Sequence, residues 1–415
     1  MSLPATSPTG TAPAADDATR PTPDETPVQA ERVPRSDGGS SYVPVQTRSE
    51  RFASTDVTRF ETVTSRDVAW KFSPLDKLTG LTAGVLDASD WPFDAVDVGS
   101  DVAIEWIGRD DDRIGSAGIP EDRAAANAWS TFGRALSVTI SGETPQSVTL
   151  TRSELGSGAR AAHTVITARP HSVGTVYFEN TGSALLSENV EIVVGDGADL
   201  TVVSVQQWDD DAVHLASHFA RVGRDARLRH IVVSLDGDVI RINPSVHLDA
   251  PGGDAELYGA YFSSAGQHIE QQVFVDHDAE NTRSRVTYKG ALQGTGARSV
   301  WIGDVLIRRS GVATDSYEQN RNLLLTDGAR ADSIPNLEIE TGDIAGAGHA
   351  SASGRFDDEQ LFYLQARGIS EDIARRLVVR GFLAEVVQKI PSPELEARLE
   401  AAIEAALVSE EAPRS

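Results

Sequence analysis

Residues 317–369 read YEQNRNLLLTDGARADSIPNLEIETGDIAGAGHASASGRFDDEQLFYLQARGI, and here the chain changes character. Two short apolar runs, 323–325 and 337–339, are separated by the turn-rich spacer TDGARADSIPN. A Gly/Ala/Ser loop around a single histidine, His349, comes next. Beyond Arg355, Asp357, Asp358 and Glu359 stand where a helix N-terminus favours negative charge, and Leu361, Phe362 and Leu364 follow. A strand-rich region ends here and a helical one begins, with an imidazole at the joint.

Upstream, residues 147–342 are short β-rich runs broken by Gly/Asp/Ala turns. The turns form a weak repeat: GDGADL at 195, GRDARL at 223, GGDAEL at 252, GTGARS at 294 and TDGARA at 326. Units of 20–50 residues that bury too little apolar surface to fold alone point to a stacked β-solenoid. An antiparallel sandwich with recurrent hairpins fits the same spacing. Downstream, SEDIARRLVVRGFLAEVVQKI aligns Ile373, Leu377, Val378, Phe382, Val386 and Val387 along one helical stripe. Pro391 ends that helix. Ser392 caps the next one, with Pro393 at its first position and Leu395, Leu399, Ile403 and Leu407 every four residues.

Residues 46–146 read as a mixed α/β region: short helices before a Ser-Pro turn, strands at VAIEWIG and ALSVTISG, and an alanine-rich helix from Glu121 to Leu136. Trp70, Trp91, Trp106 and Trp129 read as core anchors. Residues 1–45, rich in Pro, Thr, Ser and Ala and without Trp or Phe, bury too little to offset their ordering entropy and read as a disordered tail.

The chain carries 62 Asp and Glu against 37 Lys and Arg, a net charge of −25. That balance argues against nucleic acid and against anionic membrane. No apolar run approaches the roughly 20 residues that span a bilayer. The opening MSLPATSPTG has neither the basic nor the apolar region of a secretory signal, so the expected compartment is the cytoplasm. With no cysteine, the chain has no disulfide, thiolate nucleophile or zinc–thiolate site, and cannot alone hold an all-cysteine iron–sulfur cluster.

Nine histidines and many carboxylates supply the candidate chemistry. His214 and His218 lie four apart, and His247, His268 and His277 fall in strands or at strand ends; all read first as packing residues. His349 differs, since an imidazole among small residues is available as a nitrogen ligand. The chain has no G-x-x-x-x-G-K-[ST], no H-E-x-x-H and no G-x-S-x-G. Solenoids also house carbohydrate-active enzymes built on clustered carboxylates, and Asp236, Asp238, Asp249 and Asp254 would serve one if they converged on one face.

Several motifs occur together in a fixed order: His277-x(6)-Ser284-x(4)-Lys289-Gly290, Asn320-Arg321-x-Leu-Leu-Leu, Pro335-x-Leu-Glu-Ile, Asp343-Ile344 ahead of His349, and Phe362-Tyr-Leu-x-x-Arg367-Gly-Ile. Together they closely resemble the SufB/SufD family, scaffold subunits of the SUF iron–sulfur cluster assembly machinery. The likeness covers roughly residues 170–390, with a looser match at WKFSPL, residues 70–75.

The resemblance implies a mainly β fold: a right-handed parallel β-helix core over 147–355, a mixed N-terminal region and a C-terminal helical domain over 356–410. It implies pairing with SufB and docking of the SufC ATPase on the C-terminal helices, with ATP hydrolysis left to SufC. A cysteine-free member resembles SufD, because SufB is the subunit whose cysteine bears the nascent cluster. The likeness further implies His349 as an iron or cluster ligand at the SufB interface, where the iron–sulfur cluster is held transiently. The family pattern there often reads D-V-x-C-x-H, whereas residues 343–349 read DIAGAGH, one residue longer and without the cysteine. Reduced flavin accompanies the assembled family complex, but no flavin motif is visible in this sequence.

Overall fold

The computed structural model describes residues 52–355, 363 and 365–409. The expected tail and the helix start at Asp357, Asp358 and Glu359 lie outside these residues.

Two nine-stranded sheets enclose one apolar core. The first runs, in spatial order, β1 (Asp94–Val96), β4 (Gln146–Arg152), β6 (Val173–Gly182), β8 (Asp199–Trp208), β10 (Arg227–Asp236), β12 (Asp254–Ser263), β14 (Arg283–Leu292), β16 (Asp315–Leu324) and β18 (Gly346–Arg355). The second runs β2 (Val102–Gly108), β3 (Arg134–Ile140), β5 (Gly156–Ala168), β7 (Ala184–Val194), β9 (Val213–Val222), β11 (Val239–Leu248), β13 (His268–His277), β15 (Arg298–Ile307) and β17 (Arg330–Ile339). Strands therefore alternate between sheets as the chain climbs, and β3–β4 through β17–β18 make eight two-strand coils of a parallel β-helix. Among the described residues only β1 and β2 pair antiparallel, each at the edge of its sheet.

The register explains why the turn repeat drifts. Aligned residues on successive coils of the first sheet are 199, 227, 254, 283, 315 and 346, so the steps are 28, 27, 29, 32 and 31 residues. The five turns expected as one repeat belong to two corners. Those at 195, 223 and 252 enter β8, β10 and β12 of the first sheet, whereas those at 294 and 326 enter β15 and β17 of the second.

The first corner carries a backbone ladder. His171, Gly197, Asp225, Gly252, Asn281 and Ala313 all take positive φ, between 51° and 76°. The N–H of each donates to the next coil: His171 to the carbonyl of Asp196, Gly197 to Arg224, Asp225 to Pro251, Gly252 to Glu280, Asn281 to Val312 and Ala313 to Asp343. Gly, Asn and Asp tolerate this left-handed backbone best, which gives the turns their composition. At Gly252 space matters as well, because a Cβ there would lie 2.1 Å from Asp225 Oδ1.

Both outer faces of the solenoid are partly covered, so many strands are buried on both sides and read as near-continuous apolar runs. Helices α1 (Leu75–Thr82) and α2 (Arg123–Thr131) cover the second sheet through Leu78, Leu81 and Trp129, joined by Trp70 from the turn before α1. Helices α3 (Glu371–Val387) and α4 (Pro393–Ser409) cover the first sheet, over Val203, Val205, Ile231, Val233, Tyr258 and Phe262. In α4 the expected residues Leu395, Leu399, Ile403 and Leu407 are all buried, and Ser392 Oγ accepts the Leu395 N–H as an N-cap.

Two helical expectations are corrected. The alanine-rich helix stops at Thr131 and not at Leu136. Trp129 and Phe132 anchor it, and the chain then enters β3 at Arg134. In α3 the buried stripe is Ala374, Val379, Leu383, Val386 and Val387, while Ile373 and Leu377 are 46% and 48% exposed. Periodicity found the helix but put two of its residues on the wrong face.

Candidate functional site

Strand β18 reads GAGHASASGR, a composition with little strand propensity. Expected as a loop, it is a strand, because a full parallel ladder with β16 supplies partners for its backbone, from Asp315 opposite Gly346 to Leu324 opposite Arg355. The pairing that makes the strand also aims its side chains. Ala347 packs on the lumen core, Ser351 Oγ donates to Ser333 Oγ of β17 at 2.8 Å, and Asn322 Nδ2 donates to Ser353 Oγ at 3.2 Å. His349 shares their parity, so its imidazole overhangs the end of the lumen with its side chain 44% exposed.

Glu318 lies directly opposite His349 in the ladder. Its side chain is 1% exposed, and Oε1 sits 3.9 Å from His349 Nδ1. Neither carboxylate oxygen has a hydrogen-bond partner. Burial, and then the charge of Asp304, push its pKa up to about 8. Gly303 on the facing sheet makes the room, since a Cβ there would meet Glu318 Oε2 at 2.4 Å and the Trp301 ring at 2.2 Å. Beneath, Tyr261 donates to Asn322 Oδ1 at 2.6 Å and accepts from Asn320 Nδ2 at 2.9 Å.

The other sequence candidates hold structure. His214 lies inside the lumen at 2.7 Å from Glu188 and 2.9 Å from Gln206, and His218 Nδ1 is 2.8 Å from His230 Nε2. His268 sits against Glu270 at 3.0 Å and the half-buried His247 against Asp276 at 3.2 Å. The carboxylates do not converge. Asp238 pairs with Lys77, Asp249 with Arg221 and Asp254 with Arg283, while Asp236 sits at the far end of β10 from the residue that pairs with Asp254. Among the described residues no group of three or more His, Cys, Asp or Glu is placed to hold a metal ion.

The sequence motifs also resolve into packing. His277 Nε2 is 2.9 Å from Ser284 Oγ. Lys289 pairs with Glu385 of α3 and lies over the Phe382 ring, tying the helices to the solenoid. A Cβ at Gly290 would sit 1.8 Å from the Tyr261 ring. Glu318 was missed by sequence reasoning. The available signal was its separation of 31 residues from His349, one coil length at this end of the solenoid.

Comparison with known proteins follows the same span. The family model described as SUF system FeS cluster assembly, SufBD core domain, matches residues 150–382. An iron-sulfur cluster assembly SufBD family protein of Mycobacterium bovis is 50% identical over 366 residues, covering 86% of this chain and 92% of its own length. One from Mycobacterium leprae is 47% identical over 376 residues, covering 88% of this chain and 95% of its own length. A longer Mycobacterium leprae protein of the same description is 29% identical over 208 residues, which is 50% of this chain and 24% of its own length.

Proposed function

Since the chain belongs to the SufBD family of SUF iron–sulfur cluster assembly proteins, we propose that it is the SufD-like scaffold subunit, cytoplasmic and without catalysis of its own. In this reading it pairs with a cysteine-bearing SufB, carries the SufC ATPase on α3 and α4, and presents His349 to the nascent cluster. The observation that carries the reading is the half-exposed His349 imidazole on the outermost strand of the first sheet, in a chain with no cysteine. A thiolate-bearing partner and an imidazole-bearing one together supply the mixed ligand set that iron accepts. Strands β17 and β18 end their sheets, and a partner solenoid would extend both by edge pairing. The exposed Ile373 and Leu377 give α3 an apolar face for SufC. Any reduced flavin would belong to the assembled complex, and no residue of this chain is assigned to it.

The test is co-expression of the tagged full chain with SufB and SufC from the same source, followed by sizing of what co-purifies. A stable assembly containing both supports the reading, and His349→Ala should then leave the assembly intact while cluster formation is lost. A chain that elutes alone, with and without ATP, overturns it.

A further inference from the structure

Resting on that scaffold reading, we infer that Glu318 and His349 together form one half of a divalent transition-metal site, completed by donors from the partner strand that pairs with β18. The first support is register. Glu318 and His349 are Cα partners on the last two strands of one sheet, and both point into the open end of the lumen. The second is distance. Two ligand atoms each about 2.1 Å from one ion can be at most about 4.2 Å apart. The Nδ1–Oε1 separation of 3.9 Å lies inside that limit and is too long for a hydrogen bond. Small rotations of the two side chains, without movement of the backbone, would let one ion bridge both groups.

The third support is the state of Glu318. A buried carboxyl without a hydrogen-bond partner is disfavoured, and other deeply buried acids of this chain avoid it. Glu188 is held by Arg152 and His214, Glu191 accepts from the N–H groups of Gly115 and Ala117, and Glu270 is held by Arg241 and Ser73. Glu318 has both oxygens without a donor, and Gly303 leaves space where any side chain would collide with it. A cation between Glu318 and His349 would satisfy those oxygens.

The donor set selects the class of ion. One imidazole nitrogen with one carboxylate oxygen suits Fe²⁺, Mn²⁺, Co²⁺ or Zn²⁺ better than Mg²⁺ or Ca²⁺, which prefer oxygen ligands alone. The remaining ligands come from water in the lone chain and from the partner in the assembly. Iron is then held on this chain by two groups from adjacent coils.

Co²⁺ titration of the full chain tests this, read by d–d absorption and by calorimetry. The expected result is one saturable site, weakened at least about tenfold by both Glu318→Gln and His349→Ala. His171→Ala, an exposed histidine in the turn before β6, should leave it unchanged. Thermal unfolding of each variant shows that it is folded. If His349→Ala weakens binding and Glu318→Gln does not, Glu318 is no ligand and the inference fails while the scaffold reading stands. Wild-type chain without saturable binding, or variants that all bind equally, also overturns it. Failure of the scaffold reading shows separately, as absence of partners in the co-expression experiment.

Discussion

Among the described residues, side chains close the lumen at its first coil and leave it open at its last. Antiparallel β1 and β2 finish the two sheets at the start, and Trp91, Phe93 and Trp106 cluster there at ring separations of 5.3, 5.6 and 6.1 Å. Arg152 lies 5.0 Å from the Trp91 ring centre and forms a two-bond ion pair with Glu188, at 2.7 and 2.9 Å. At the other end β17 and β18 carry small or half-exposed side chains, and the buried acid, Glu318, has no such partner. At the closed end the buried acid Glu188 is paired with Arg152 and His214. The other end has a half-exposed imidazole, His349, beside a buried carboxyl, Glu318, with no hydrogen-bond partner.

The largest expected effect comes from breaking the closed end. Arg152→Ala leaves Glu188 as a buried charge with its main partner gone. Burial opposes ionisation of Glu188, yet the charge and hydrogen bonds of Arg152, with those of His214, hold its pKa well below the usual range. Urea unfolding should show a loss of about 3–5 kcal/mol. A loss under about 1 kcal/mol would mean that water reaches Glu188 and that the two ends differ less than their geometry implies.

Acid should act next, and on the middle of the lumen more than on either end. Burial lowers the pKa of His218 to about 4, with Glu188 opposing and His214 adding to the shift, and lowers that of His277 to about 4 against the charges of Asp276 and Asp315. His230, beside His218, is lowered as well. In each case the unfolded chain takes up the proton first. The stabilisation is complete above pH 6.5 and is lost as pH falls toward 4. The gap between 6.5 and about 4 corresponds to roughly 3 kcal/mol per residue. Melting temperature measured from pH 7.5 to 4.5 should fall steadily, and a flat profile would contradict the dry lumen.

The open end should respond in the opposite sense. Glu318→Gln removes a carboxyl whose ionised form burial and Asp304 disfavour. Thermal unfolding of the isolated chain at pH 8 should show higher stability, by about 1 kcal/mol. A loss comparable to that of Arg152→Ala would show that Glu318 has a structural role and would remove the contrast between the ends.

The contrast also explains what could be read in the sequence. The solenoid was partly legible: its turns need left-handed residues once per coil, and GDGADL, GRDARL and GGDAEL record that need. A sandwich fitted the same spacing, however, until the family resemblance favoured the β-helix. The helix α4 was legible because its four buried residues follow one period. Strand β18 was not, since Gly, Ala and Ser encode no preference and its conformation comes from the ladder with β16. Glu318 was invisible for a related reason: its neighbour His349 is 31 residues away, and only the register joins them. His349 was singled out from its small-residue surroundings and from resemblance, but its place on a strand facing the lumen needed the structure.

The smallest expected effect on stability falls at the residue proposed to matter most. The His349 imidazole is 44% exposed, and the nearest Glu318 carboxyl oxygen, at 3.9 Å, is beyond hydrogen-bonding distance. Truncating it removes little packing, so His349→Ala should change unfolding free energy by no more than about 0.5 kcal/mol. A residue fixed by folding shows its loss in the unfolding curve, as Arg152 should. A residue held for a partner shows it only when the partner is present. Cluster formation in the co-expressed assembly should therefore fail for His349→Ala while denaturant curves of the isolated variant overlay those of the parent chain. If the variant instead unfolds early and cluster yield falls only in proportion, the open end is a packing edge and its imidazole is no ligand.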